Sequence, residues 1–523
     1  MRLWIALALA ASGGLLLDVA SPSLGWWWAA FPGAAAIIAA VWQQRMGVGA
    51  LIGLVAGAAF WMPHISWLTL YLGPVPWLGL CFVMTVWFVL FGMLAALGTR
   101  GLAKMLWWQS HPVLRAVAQS LTIAGLWVLR EQVQGAWPYG GFAWGRLVHT
   151  QAEGPLLQSV SWLGFAGVSG VLAFACAIPV AVSFGRRMTV RTVIPAVGST
   201  VVILLVLALV PSAPLGTHGT LRVAGIQGNS KSGIFDDRES GAVLQDHLDA
   251  TANVLDDLEA AGERVDVIVW PENSAEFDLP NNSFGKYQLR QLAERADAPI
   301  LIGSVLANDD GTYTNSSLVW GPDGEQDVRY DKVFPVPFAE YMPNREFFHA
   351  LAPELVDLVQ LEYTAGVRSP VVTIDAGSRV VRAGLAICFD IIFDRQAVEM
   401  VNGGAEVIFA QTNNADFGRT DESAQQLAIA RLRAVETGRA LVNISTVGTS
   451  AVVVPDGRDL DRLTPFTADA LIAEVPLIEG QTPALRFGAV VATLWCLFGG
   501  VGTVMGAAAM LRRPSSRTVK RSD

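Results

Sequence analysis

Gly384-Leu385-Ala386-Ile387-Cys388-Phe389-Asp390 closes an apolar run that opens at Val380. A short apolar run ending at a sharp junction reads as a buried strand, here one that delivers Cys388 to the start of the next helix. At that junction the backbone N–H of Phe389 can face a developing oxyanion. A free cysteine is most often inert packing, but Asp390, two residues on, argues against a purely apolar pocket.

The same pattern continues outward. Leu221–Gln227, Val265–Trp270, Pro299–Val305, Ser317–Trp320, Ala405–Ala410, Ala440–Ser445 and Ser450–Val454 suit short strands. Val243–Leu258 and Ser423–Glu436 read as helices. Strand and helix alternating in this way predict an α/β fold with buried sheets. Pro211 and Pro214 mark its entry, Pro476 and Pro483 its exit, and the predicted domain covers residues 213–480.

Two more motifs sit at strand ends, where α/β folds place functional groups. Val269-Trp270-Pro271-Glu272-Asn273 stops a strand with proline and presents Glu272 at its rim. Tyr330-Asp331-Lys332-Val333 leads into Pro337-Phe338-Ala339-Glu340-Tyr341-Met342-Pro343, a loop dense enough in proline and aromatics to be packed. A lysine held there needs a carboxylate partner. His218, His247 and His349 are the only histidines of the domain and none lies near these motifs, which disfavours a Cys-His arrangement. No His/Cys cluster has metal-ligand spacing, so neither a metal nor a cofactor is expected. A thiol without histidine can be activated by a carboxylate beside an ammonium.

Around this domain the chain changes character. Apolar residues make up 52% of the 523 and charged ones only 15%, with a mean hydropathy of +0.43, too greasy for a soluble protein. Residues 213–480 hold 41 acidic and 20 basic side chains, a balance of -21 within a net charge of -9, which leaves +12 for the rest. So acidic a domain argues against a nucleic-acid partner. Of Cys81, Cys176, Cys388 and Cys496, only Cys388 belongs to it, and it cannot form an internal disulfide.

Stretches long enough to span a bilayer are read at 3–20, 26–42, 47–72, 76–98, 116–134, 157–184, 192–211 and 484–511. The first is expected to be a retained helix, since it lacks a convincing cleavage site. Arg2, Arg45, Arg100, Lys104, Arg115, Arg186, Arg187, Arg191 and the tail Arg512, Arg513, Arg517, Lys520 and Arg521 fall on one side of this topology, against Arg130 and Arg146 on the other. The positive-inside rule then places both termini in the cytoplasm and the domain outside it. The division expected is 1–212 for seven helices, 213–480 for the domain, and 481–523 for an eighth helix and a basic tail. The aromatic loop Trp137-Pro138-Tyr139 with Phe142 and Trp144 reads as an interfacial belt or as a hydrophobic entrance for a lipid.

Glu272 in WPEN, Lys332 in DKVFPVPFAEYMP and Cys388 in ICFD resemble, in order, the Glu-Lys-Cys triad of the nitrilase superfamily. Arg433-Ala434-Val435-Glu436-Thr437-Gly438-Arg439 resembles its later helix end, and Gly448, Ser450 and Asp456-Gly457 its closing strands. With eight spans and an external domain, the chain resembles the apolipoprotein N-acyltransferase family over essentially its whole length. Three departures stand out: Asp390 where the family usually has Glu, Ala339 where it has Gly, and Thr412-Asn413-Asn414-Ala415-Asp416-Phe417-Gly418 where it often reads TNDAWFG.

The resemblance implies an αββα sandwich on a membrane helix bundle in the bacterial cytoplasmic membrane. It implies acyl transfer through a Cys388 thioester, from a phospholipid donor to the α-amine of an S-diacylglyceryl apolipoprotein. Glu272 would be the base, Lys332 and the Phe389 N–H the oxyanion donors, with Glu340 and Asp390 in support. A membrane-tethered amidase using water as acceptor is the alternative, although one span would anchor it. A transporter or scaffold with a vestigial domain is a further rival, against which the complete triad and the near absence of intramembrane charge both argue.

Overall fold

The computed structural model describes residues 1–185, 190–233, 236–377 and 379–511. Arg186, Arg187 and the basic tail lie outside them, as does the Arg191 side chain.

Among the described residues, the α/β domain contains twelve strands. The first sheet holds β1 (Gly216–Gln227), β2 (Val267–Val269), β3 (Ile300–Ala307), β4 (Tyr313–Gly321), β5 (Gly324–Asp331) and β12 (Asp469–Glu479), in the order β12-β1-β2-β3-β4-β5. The second holds β6 (Val371–Asp375), β7 (Val380–Ile387), β8 (Val407–Thr412), β9 (Ala440–Ser445), β10 (Ala451–Val453) and β11 (Asp459–Arg462), in the order β11-β10-β9-β8-β7-β6. β1, β2 and β3 run parallel, as do β7, β8 and β9. Such strands are covered on both faces and read as continuous apolar runs; every residue of β8 and β9 is buried.

Val223, Val269 and Leu301 of one sheet meet Leu385, Val407, Phe409 and Val442 of the other in the intersheet core. The helices Ala242–Ala261 and Ser283–Ala296 cover the outer face of the first sheet through Leu244, Leu248, Leu255 and Leu289. On the second sheet lie Asp394–Asn402 and Glu422–Thr437. The expected αββα sandwich is therefore present. Paired antiparallel along their lengths, β1 and β12 bring the domain's entry and exit side by side, so it sits as one insert between two apolar helices.

Among the described residues, six helices are long and apolar enough to cross a membrane: Leu3–Ala20, Met46–His64, Pro74–Lys104, Pro112–Gln134, Leu157–Phe184 and Pro483–Leu511. Two shorter apolar helices, Trp27–Val41 and Ile194–Leu209, occupy the places of the two remaining expected spans. The eight expected segments are thus helical; the second of this pair continues back to Val190 over 20 residues, whereas Trp27–Val41 falls well short of the ~20 residues a full crossing takes. The final helix packs against Pro74–Lys104 and Pro112–Gln134 where glycines meet. A Cβ on Gly101 would lie 2.0 Å from the Gly506 carbonyl oxygen, and one on Gly125 2.2 Å from that of Trp495. Close backbone approach of this kind gains dispersion where lipid offers no hydrophobic drive.

Domain and bundle share one core. Fourteen of the sixteen residues of Glu422–Thr437 are buried, although the segment is polar on average. One flank lies on the second sheet; Leu427, Leu432 and Val435 belong to the same cluster as Phe60, Trp144 and Phe165 of the bundle. Within the aromatic loop Trp137 and Tyr139 are exposed, while Phe142 and Trp144 are buried against the domain.

Candidate active site

Cys388 follows β7, and its backbone takes the left-handed region at φ 50°. For a non-glycine residue this costs about 1–3 kcal/mol and persists only where the surroundings dictate it. Asp390 supplies that constraint. Its fully buried carboxylate accepts the Ile387 N–H at 3.1 Å, the Tyr330 hydroxyl at 2.7 Å and the Phe334 N–H at 2.9 Å. The turn after the cysteine is thereby tied to the end of β5 and the loop beyond Lys332. Burial pushes the Asp390 carboxyl up to about 6, with Lys332 and these donors opposing it. Phe389 stands second in the short turn Cys388–Ile392, where an N–H has no partner within the turn. Its ring stacks on Phe142 of the bundle, centroids 6.2 Å apart.

Glu272 and Lys332 arrive from the first sheet. Gly303 on β3 lets the turn after β2 lie close, since a Cβ there would sit 2.6 Å from the Pro271 oxygen. Both side chains are almost wholly buried, at 4% and 2% exposure. The Lys332 Nζ lies 3.1 Å from Glu272 Oε1 and 3.0 Å from Glu340 Oε1. Asn315, on β4, donates to the same two oxygens at 2.7 and 3.2 Å. The second Glu340 oxygen takes the Val336 N–H at 2.6 Å.

Burial works against the Lys332 ammonium, but Glu272 and Glu340 outweigh it and hold its pKa well above the usual value. Burial raises that of Glu272, with Lys332 opposing. Burial and then the Glu272 charge push the Cys388 thiol well up, against Lys332 and Gln426. A thiol whose pKa is raised by burial and by Glu272 therefore shares the site with a carboxyl made more basic by burial, beside an ammonium that two carboxylates keep charged. This arrangement suits proton removal coupled to attack.

Sequence reasoning had not singled out Asn315, Tyr330, Asn414, Glu422 or Gln426. The Gln426 amide donates to Cys388 Sγ at 3.5 Å and accepts from Asn414 Nδ2 at 2.8 Å. Asn414 also donates to Glu422 at 2.8 Å. Burial pushes the Glu422 carboxyl up to about 8. One sign of such a network was legible: Thr314-Asn315-Ser316-Ser317 is a polar run inside a strand, and all four are buried.

The neighbouring Gln425 points the other way, into the bundle. It accepts the indole N–H groups of Trp67 at 3.1 Å and Trp144 at 2.7 Å, and donates to the His64 carbonyl at 3.0 Å. Arg146, expected at an outer flank, reaches Asp394 at 2.8 Å, and Arg433 reaches the same carboxylate at 2.7 Å. Arg130, also expected at a flank, is buried beside Glu131 at 3.1 Å. His218, Glu406 and Glu479 converge elsewhere, their ligand atoms within 4.8 Å, but Arg382 already pairs with both carboxylates at 3.1 and 3.3 Å.

Residues 222–482 match the carbon-nitrogen hydrolase family, and residues 13–178 match the apolipoprotein N-acyltransferase N-terminal domain. The chain is 32% identical to an apolipoprotein N-acyltransferase of Mycolicibacterium smegmatis, over 98% of this chain and 88% of that one. It is 28% identical to one of Geobacter metallireducens, over 97% and 95% respectively. Among solved structures, that of Saccharomyces cerevisiae Nit3, a member of the nitrilase superfamily, covers 53% of this chain and 97% of its own at 18% identity and a TM-score of 0.37.

Proposed function

Because the chain belongs to the apolipoprotein N-acyltransferase family, we propose that Glu272, Lys332 and Cys388 carry out its acyl transfer in two half-reactions through a Cys388 thioester. Glu272 takes the thiol proton as the sulfur attacks the ester carbonyl of a phospholipid. The tetrahedral oxyanion is met by the Lys332 ammonium and the Phe389 N–H. Collapse breaks the C–O bond, and Glu272 returns the proton to the departing lysophospholipid. In the second half, the α-amine of an S-diacylglyceryl apolipoprotein attacks the thioester and loses a proton to Glu272. The C–S bond breaks, an amide is left, and the thiolate recovers its proton.

The observation that carries this reading is Lys332 fixed at 3.1 Å from Glu272 and 3.0 Å from Glu340, in a buried site shared with Cys388. One oxyanion donor is worth about 3–4 kcal/mol, and a cation clamped by two carboxylates is preorganised for that task. Glu340 holds Lys332, and Asp390 holds the turn that carries Cys388 and Phe389.

The membrane setting supports lipid substrates on both sides of the reaction, since neither donor nor acceptor leaves the bilayer. Residues 1–212 and 481–523 form the membrane part of this reading and 213–480 the catalytic part. The basic residues Arg45, Arg100, Lys104 and Arg115 all lie at the end of the bundle away from the domain in chain topology, which favours an extracytoplasmic domain in the bacterial inner membrane. Mass spectrometry of a lipoprotein N-terminus with and without the enzyme tests the function. The enzyme should add one acyl chain to the α-amine; release of free fatty acid alone would point to the amidase-like alternative.

A further inference from the structure

A side-chain amide can present either its oxygen or its nitrogen, and the groups behind Gln426 dictate which. The Gly448 N–H donates to Ser445 Oγ at 2.9 Å, leaving the Ser445 hydroxyl to donate to Asn414 Oδ1 at 2.7 Å. Thr412 Oγ1 donates to the same oxygen at 3.2 Å. Asn414 must then turn its nitrogen forward, and that nitrogen meets Gln426 Oε1 and Glu422 Oε2, each at 2.8 Å. Gln426 in turn directs its own nitrogen at Cys388 Sγ, 3.5 Å away.

Apart from the branch from Asn414 to Glu422, the chain runs in one direction, from the Gly448 N–H to the sulfur. Asn414, Gln426 and Ser445 are all buried, so none can take a substitute partner from solvent. The seat is shaped for Asn414: a Cβ on Gly448 would stand 2.2 Å from its Oδ1. The chain reaches Cys388 from β8, β9 and the helix Glu422–Thr437, whereas Glu272 and Lys332 come from the first sheet.

We propose that Gln426 is a further catalytic group, an N–H donor that stabilises Cys388 as a thiolate, oriented by Asn414 and Ser445. The inference rests on Cys388 being the nucleophile. When Glu272 takes the thiol proton, negative charge appears on a sulfur removed from water, and hydrogen bonds to charged atoms are about twice as strong as neutral ones. The donor therefore favours the thiolate over the thiol. It acts when the nucleophile forms and again when the incoming amine expels the sulfur. Gln425, locked to Trp67 and Trp144, ties the helix that carries Gln426 to the bundle.

The test is the pH profile of Cys388 alkylation in the full-length enzyme in detergent, read by peptide mass, together with the rate of acylation by phospholipid. Gln426→Met keeps the length and removes the donor. It should move the midpoint up by about one unit, slow alkylation about tenfold at a fixed pH below it, and lower kcat with KM nearly unchanged. Asn414→Asp offers an acceptor where Gln426 Oε1 needs a donor; it should turn the amide around and shift the midpoint the same way, with no further shift in the double variant. A folded Gln426→Met enzyme with the parent profile overturns the proposal. Should that variant not fold, an unshifted profile in Asn414→Asp does so. Cys388→Ala separates the premise: transfer surviving in it refutes the nucleophile itself, whereas an inactive Cys388→Ala beside an unshifted Gln426→Met refutes only the donor.

Discussion

The Tyr330 hydroxyl donates to the Asp390 carboxylate at 2.7 Å, joining the end of β5 to the strained turn that carries Cys388. Lys332 follows Tyr330 by two residues and Cys388 precedes Asp390 by two, so this bond, with that from the Phe334 N–H, ties the segment that carries the ammonium to the turn that carries the sulfur. Tyr330→Phe should keep the fold and lower acyl transfer about tenfold, while Asp390→Ala, which strands three donors, should cost about 3 kcal/mol of stability or more. Thermal unfolding and turnover of the two variants check this; parent-like turnover in both would remove the clamp from the account.

Glu340 holds Lys332 alongside Glu272 and is itself held by Val336. Glu340→Gln should insert and fold, retain the hydrogen bond to Val336 and lose most of its activity, because Lys332 then leans on Glu272 alone and weakens it as a base. Turnover of the purified variant decides it, and parent-like activity would reduce Glu340 to a packing residue.

Glu422 has its carboxyl pushed up by burial to about 8, against an ordinary value of 4.5. A raised acid binds its proton more tightly in the folded state, so stability is highest below the ordinary value and falls as pH rises towards about 8. Glu422→Gln keeps an oxygen for Asn414 and cannot ionise. Its melting temperature should therefore fall less than the parent's between pH 4.5 and about 8. Equal slopes would show that Glu422 is not buried as a neutral acid.

Much of the fold was legible because the strands at its centre are buried on both faces. β7, β8 and β9 stand out as apolar runs, and the three motifs sit at their ends or at those of β2 and β5. What was not legible depends on partners remote in the chain. β4 begins at Tyr313 rather than at Ser317 because its polar half is buried by Glu272, Asp331 and Gln411. Gln425 finds Trp67 and Trp144 at sequence separations of 358 and 281. No periodicity reveals a polar helix covered on both flanks, and Arg130 and Arg146 read as loop charges until Glu131 and Asp394 are seen beside them.

The last helix is bound to the bundle by backbone approach at Gly101 and Gly506, and elsewhere by Trp495 seated on Gly170. Gly101→Leu should force the two helices apart and cost about 1–3 kcal/mol or more, lowering the detergent melting temperature and the yield of inserted protein. The same substitution at Gly500, whose Cβ would meet nothing within 4 Å, should be tolerated. Equal behaviour of the two variants would contradict the packing described.

The central claim is that Cys388 carries the acyl chain between donor and acceptor. Enzyme incubated with phospholipid and no acceptor should show, by intact mass and peptide mapping, one fatty acyl group on Cys388, released by hydroxylamine and transferred to a diacylglyceryl peptide bearing a free α-amine. Cys388→Ala should carry no adduct and transfer nothing. Full transfer by Cys388→Ala, or an acyl group found on another residue, would contradict the account.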